Sequence, residues 1–252
     1  MIEVFFLSLI QGITEFLPVS SSSHLILASE YMKFENQGLS IDVSLHIGSF
    51  IAVITYFHKE VLNFFENKIL FLKILIASLP VMIVGYFLVE TNIIEKIRNM
   101  KTIAWTTLIF GILLYISDKF KLKKNIENNL NLRSVFFIGV LQIFSLIPGV
   151  SRSGIAITAA RILEYKRIDA AKISFLVSIP ILAAVSIFGI KNIISEKDLI
   201  FSKLNLMAIL LSFAFSIITI KFFLKFINKF NFNLFVFYRI ILGLILLYLA
   251  YL

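Results

Sequence analysis

The sequence predicts an all-α polytopic membrane protein of about six transmembrane helices plus two re-entrant helical hairpins, arranged as an inverted-topology repeat. Three observations lead there. The 252-residue chain is 59% hydrophobic with a mean hydropathy of +0.95, whereas soluble domains are roughly 45–50% apolar. Six apolar runs are long enough to cross a bilayer. Two further apolar runs are too short to cross, and each stops at a proline followed by serines.

A water-soluble protein of this size could not cover so much apolar surface, so a bilayer is the solvent for most of it. The 27 phenylalanines fit lipid-facing packing. With four prolines and ten glycines in the whole chain, each is expected to mark a specific break. The net charge of +9 could suggest a nucleic acid partner. Most Lys and Arg, however, sit in short loops between apolar runs, as in the inside loops of membrane proteins, so no nucleic acid is expected. The absence of cysteine excludes disulfides, thiolate chemistry and Cys-based metal sites. The apolar N-terminal stretch lacks a basic start and carries Glu3, Gln11 and Glu15, so a cleaved signal peptide is not expected.

The elements follow in order. A first short segment runs from Ile2 to Leu17, ends at Pro18 and serines 20–23, and is followed by a short helix near 24–32. Spans are expected at 41–57, 69–89 and 102–118, the first being the shortest and, with Ser44 and His46, the most polar. A second short segment runs from Ser134 to Ile147, ends at Pro148-Gly149, and is followed by a short helix near 154–163. Spans then follow at 172–190, 204–224 and 233–252. A crossing needs about 20 residues at 1.5 Å each. The short segments therefore stop inside the membrane and turn back, which the backbone tolerates only when buried in protein or lining a wet cavity.

The two breaks resemble one another. Gln11, Val19, Ser20 and Ser22 register without a gap on Gln142, Val150, Ser151 and Ser153, an offset of 131. The chain reads as a single membrane domain, 1–252, built of two repeats of approximately 1–125 and 126–252, each a hairpin and three spans. An odd number of spans inverts the second copy, an arrangement common where a site lies at the midplane. Loops 58–68, 119–133, 164–172 and 221–232 fall on one side and hold most Lys and Arg, which places that side in the cytoplasm. The two breaks then meet near the membrane centre.

Ionisable groups at membrane depth mark function by default. Gln11 and Glu15 share one helix face at a spacing of four. Arg152, between Ser151 and Ser153, opens a helix after a Pro-Gly turn. A helix N-terminus offers free N–H groups and a positive dipole end, and arginine adds a bidentate fork, a combination suited to phosphate. Serines 20–23 open the other short helix in the same way. The two breaks together describe a phosphate cradle, with Gln11, Ser20, Ser151 and Ser153 as binding groups. Glu15 and His24 could transfer protons, and a serine or an activated water could attack phosphorus. A divalent cation could sit between Glu15 and a diphosphate. Plainer readings stand beside these: Ser22 and Ser23 as N-caps, Arg152 and Glu15 as a structural ion pair, His46 and His58 as structural, Trp105 as an interfacial anchor, and Glu164, Lys166, Arg167 and Asp169 as an exposed loop.

The motif Gln11-Gly-Ile-Thr-Glu15-Phe-Leu-Pro-Val-Ser-Ser21 with His24, together with Pro148-Gly-Val-Ser-Arg-Ser153, resembles the bacterial undecaprenyl-diphosphatase family associated with bacitracin resistance, over the whole length of the chain. The resemblance implies hydrolysis of undecaprenyl diphosphate to undecaprenyl phosphate, the lipid carrier of cell-wall synthesis. It further implies a plasma-membrane location, a site opening toward the outer face, and assistance by Mg²⁺ or Ca²⁺ with Glu15 as the metal-positioning carboxylate. The family's catalytic serine and histidine fall on Ser21 and His24, and its phosphate-binding arginine on Arg152. Either Ser21, with His24 assisting, or His24 itself would be the nucleophile. One position departs: the family's second motif usually has Thr three residues after Ser153, where this chain has Ala156, with Thr158 two positions further on. The expected partners are the polyprenyl diphosphate and the bilayer, and a homodimer is compatible with the sequence. The rival reading is a polyprenyl phosphate transporter or flippase, because inverted repeats with broken helices are also a transporter feature.

Overall fold

The computed structural model describes residues 1–32, 38–91, 93–195 and 203–252. Segments 33–37 and 196–202, parts of two loops read from the sequence, lie outside the described residues. The elements are α1 (Ile2–Thr14), α2 (Ser21–Met32), α3 (Leu39–Tyr56), α4 (His58–Glu66), α5 (Lys68–Glu90), α6 (Ile93–Ile97), α7 (Met100–Asp118), α8 (Ile126–Asn129), α9 (Leu132–Gln142), α10 (Arg152–Ile162), α11 (Arg167–Ser195), α12 (Lys203–Ile227) and α13 (Asn233–Tyr251). A 3₁₀ turn, Ile143–Leu146, extends α9. Among the described residues six helices, α3, α5, α7, α11, α12 and α13, are long and apolar enough to cross a membrane. The protein is an all-α, multi-pass membrane protein. α1, with 13 residues, reaches only about 20 Å at 1.5 Å per residue, short of a hydrocarbon core of about 30 Å.

Segment 58–68, expected as a loop, is mostly helix α4. Its polar sequence hides an apolar stripe that packs on α5, where the Phe64 and Phe71 rings lie 5.6 Å apart.

The broadest packing runs between the halves of the chain: α3 on α12 and α11, α7 on α13, α1 on α12, and α5 on α9 and α11. In lipid, close backbone approach and buried hydroxyls drive such packing. Where α3 crosses α12, a Cβ on Gly48 would lie 2.5 Å from the Ile209 carbonyl. Beside it, Ser49 bonds Ser212 at 3.2 Å and Ser216 at 3.1 Å. Between α5 and α11, the Ser78 hydroxyl donates to the Val177 carbonyl at 3.0 Å. The main core continues in an aromatic chain, with Phe16 edge-on to Phe175 at 5.3 Å and Phe223 edge-on to Phe235 at the same distance.

At one end of the bundle, buried Asp118 collects the loops. It accepts from Arg167 Nε at 2.7 Å and from fully buried Arg161 Nε at 3.4 Å. The segment 164–169, expected to be an exposed loop, is thus partly locked in. Asp169 is buried and accepts from the Ile126 amide at 3.1 Å, and the Lys166 amide donates to the Lys124 carbonyl.

Candidate active site

The site begins with two broken helices. α1 ends at Thr14 because Pro18 lies just ahead, with no amide hydrogen and a bias against helix in the residue before it. The chain reverses at Ser20, which takes φ +77°, and α2 starts at Ser21. The second break repeats the device. After Pro148, Gly149 takes φ +94° and Ser151 takes φ +73°, and α10 starts at Arg152. Only glycine fits at 149, because a Cβ there would lie 2.8 Å from the Ile103 carbonyl. The Ser151 hydroxyl caps α10 by accepting from the Gly154 amide at 3.1 Å.

Arg239, fully buried on α13, ties the breaks together. All five of its N–H donors meet carbonyls: Pro18 at 3.2 Å, Val150 at 3.0 Å, Gly149 at 2.8 Å, Thr107 at 3.2 Å and Thr106 at 3.5 Å. Among the described residues no carboxylate pairs with it. It therefore adds a buried positive charge behind the two turns. Irregular backbone at membrane depth needs its carbonyls satisfied internally, and this guanidinium does so at both breaks.

In front of the turns lies a compact polar cluster. The Ser21 hydroxyl donates to Glu15 Oε2 at 2.6 Å, and the Gln11 amide nitrogen donates to the same oxygen at 3.1 Å. Arg152 Nη2 donates to Glu15 Oε1 at 2.9 Å. The Gln11 nitrogen also lies 3.1 Å from His46 Nδ1. Glu15 is thus a buried carboxylate held from three directions. The i, i+4 contact follows from the sequence spacing, and the Arg152–Glu15 ion pair is the contact that the plainer reading of those two residues expects. His46, expected to be purely structural, takes part as well.

The remaining site residues are distributed as follows. The Ser20 hydroxyl bonds those of Ser22 and Ser23 at 3.3 and 3.0 Å. Ser151 and Ser153 are 3.2 Å apart, and Ser153 donates to the Leu17 carbonyl at 2.7 Å, clasping the second break to the first. His24 stands apart from Glu15: its Nδ1 donates to the Ser20 carbonyl at 2.7 Å, and its Nε2 accepts from the Tyr238 hydroxyl. Ala156 and Thr158 are both buried within α10.

A cavity of about 170 Å³ opens over the cluster, lined by Glu15, Ser20–Ser22, His46, Ser145, Ser151 and Arg152 on its polar side. Its apolar side, Val81, Leu146, Ile181 and Val185, also walls a groove of about 450 Å³ between α5 and α11. A polar head and an apolar tail on one molecule would fit this pair of spaces. As for a metal, no three His, Asp or Glu residues converge among the described residues. The donor set fits a hard cation completed by substrate oxygens: one carboxylate, Glu15, next to Gln11, whose buried Oε1 lacks a partner.

Arg239, Tyr238 and His46 are absent from the sequence-based site. A charged residue inside an apolar span is a signal that singles out Arg239. His46, ionisable and inside the expected span 41–57, carries the same kind of signal, whereas Tyr238 does not, because its partner comes from a distant helix.

Comparison with known proteins identifies the family of the chain. The family described as bacitracin resistance protein BacA matches residues 4–245. The undecaprenyl-diphosphatase of Pelagibacter ubique is 48% identical over 251 residues, covering 99% of this chain and 98% of that protein. The undecaprenyl-diphosphatases of Jannaschia sp. and Roseobacter denitrificans are 40% and 41% identical, each covering at least 96% of both chains. With nearly every residue from the first helix to the last matched, this chain belongs to the BacA family of bacitracin resistance proteins.

Proposed function

We propose that this protein hydrolyses undecaprenyl diphosphate to undecaprenyl phosphate and inorganic phosphate, recycling the lipid carrier of cell-wall synthesis. The observation that carries the reading is the Ser21–Glu15–Arg152 constellation, with Ser21 Oγ 2.6 Å and Arg152 Nη2 2.9 Å from the Glu15 carboxylate, beside an apolar groove. It unites a hydroxyl nucleophile, a carboxylate to take its proton and a cation for the phosphate.

Ser21 Oγ attacks the terminal phosphorus while its proton passes to Glu15. The bridging P–O bond breaks and undecaprenyl phosphate leaves with the bonding pair. Water then attacks the phosphoserine, losing its proton to Glu15 as Ser21 recovers its own, and phosphate departs. Arg152 and the free N–H groups opening α2 and α10 hold the phosphate oxygens and offset the charge that develops on them. His24, bonded to the Ser20 carbonyl, steadies the turn that carries Ser21. The prenyl chain lies in the groove between α5 and α11 and extends into lipid. A divalent cation, Mg²⁺ or Ca²⁺, would be held by Glu15 and the diphosphate and would supply further charge neutralisation.

The same reading places the protein in the bacterial plasma membrane with the cavity opening toward the outer face. Support comes from the basic residues of loops 58–68, 119–133, 164–172 and 221–232, which favour the cytoplasmic side. The chain would comprise two inverted repeats of approximately 1–125 and 126–252. In its favour, each half runs short hairpin then three long helices, and exchanging the halves turns the α1–α12 contact into the α9–α5 contact.

The test is phosphate release from undecaprenyl diphosphate by the purified protein. Glu15→Ala and Arg152→Ala should be silent; turnover that persists in either variant would refute the site assignment.

A further inference from the structure

His46 sits on α3, 35 positions from Gln11. Its role can be fixed by following the protons. Glu15 Oε2 is the oxygen of a carboxylate paired with Arg152, so it only accepts. The Gln11 atom 3.1 Å from it must be the amide nitrogen. That nitrogen carries two hydrogens and no usable lone pair, so towards His46 Nδ1, also 3.1 Å away, it again donates. Nδ1 therefore accepts, and the proton of the neutral imidazole resides on Nε2.

Among the described residues His46 Nε2 has no hydrogen-bond partner, and His46 lines the same cavity as Glu15, Ser21 and Arg152. We propose that His46 is a further substrate-contacting residue, whose Nε2–H donates to a non-bridging oxygen of the diphosphate. Gln11 is then a positioning residue: one amide group holds the Glu15 carboxylate and sets the His46 tautomer. The inference rests on the diphosphatase reading above. A neutral donor also gives a specific expectation, because the side-chain amide nitrogen of glutamine reaches about as far from the backbone as imidazole Nε2 and carries the same kind of hydrogen.

Two measurements test it. In phosphate release from undecaprenyl diphosphate, His46→Ala should lose about 10- to 100-fold in kcat/KM, the range expected for one hydrogen bond to a charged group. His46→Gln should remain within about 5-fold of the unmodified protein, a rescue that mere packing would not give. Full activity in His46→Ala, or His46→Gln as impaired as His46→Ala, overturns the proposal. Nitrogen-15 NMR of the unmodified protein reads the tautomer itself. The chain has three histidines, and the resonance abolished in His46→Gln should report protonation at Nε2, whereas protonation at Nδ1 overturns the assignment. If the unmodified protein releases no phosphate, the diphosphatase reading fails on its own. Protection by inorganic pyrophosphate against thermal unfolding then decides the donor: it is kept in His46→Gln and lost in His46→Ala if the donor is real, and equal in both if it is not.

Discussion

Ser20 and Ser151 share an unusual positive φ, +77° and +73°, at equivalent points in the two breaks 131 positions apart. Positive φ costs a side-chain-bearing residue about 1–2 kcal/mol. Strain kept at both breaks shows that the turns are held by their surroundings. Glycine removes that cost, while loss of the Ser151 cap to glycine costs only a few tenths of a kcal/mol. Ser151→Gly is therefore expected to unfold in detergent at the same or a higher temperature than the unmodified protein. Ser151→Ala keeps the strain and loses about 1 kcal/mol of capping. A glycine variant less stable than the alanine variant would contradict the account.

The short Ser21–Glu15 contact makes Ser21→Ala a sharper probe than any other serine in the cradle. Removing the proposed nucleophile should lower kcat by about 10²- to 10⁴-fold or more, with a much smaller effect on KM. Ser22→Ala, on an exposed serine whose hydroxyl among the described residues bonds that of Ser20 alone, should stay within a few-fold of the unmodified protein. Steady-state phosphate release on both variants separates the two, and equal losses would remove the special role of Ser21.

Arg239→Met keeps most of the side-chain volume but withdraws five donors from the carbonyls of Pro18, Val150, Gly149, Thr106 and Thr107. Each buried carbonyl left without a partner costs about 1–3 kcal/mol. A loss of at least about 3 kcal/mol is expected, read as a large drop in unfolding temperature by intrinsic fluorescence. Unchanged unfolding would mean that the turns are stable without the clamp.

Asp118→Asn addresses the loop end of the bundle. It removes the charge facing Arg161 and Arg167 and leaves Arg161, which is fully buried, without a counter-ion. Breaking a buried pair from one side costs about 3–5 kcal/mol. Stability should fall while KM at temperatures well below unfolding is retained. A raised KM with normal stability would link this network to the substrate instead.

Ala184→Trp places an indole in the groove between α5 and α11, where Ala184 is a lining residue. KM for the long undecaprenyl diphosphate should rise several-fold. Hydrolysis of a short, soluble prenyl diphosphate should change little. Equal effects on both substrates would show that the chain lies elsewhere.

Much of this was legible in the residues. The six spans lie within a few positions of those expected, apart from longer ends on α11, because hydropathy over 20 residues is a local property. The breaks were legible because proline, serine and glycine act on their own backbone. Gln11 meets Glu15 because both lie on one helix face. What could not be read depends on which helices become neighbours. His46 reaches Gln11 only because α1 and α3 pack together. Tyr238 reaches His24 across 214 positions. The 58–68 segment misled because its polar residues hide an apolar stripe of one turn's spacing.

The interlocking of the two halves has a consequence for biosynthesis. α3 and α7 find their broadest partners in α12 and α13, which leave the ribosome last. A nascent chain of the first 125 residues already carries Glu15 and Ser21, but neither Arg152 nor Arg239. Until the second half inserts, Glu15 lacks its Arg152 partner and the first turn lacks the Arg239 clamp. The polar half of the candidate site is therefore made before the groups that neutralise and clamp it.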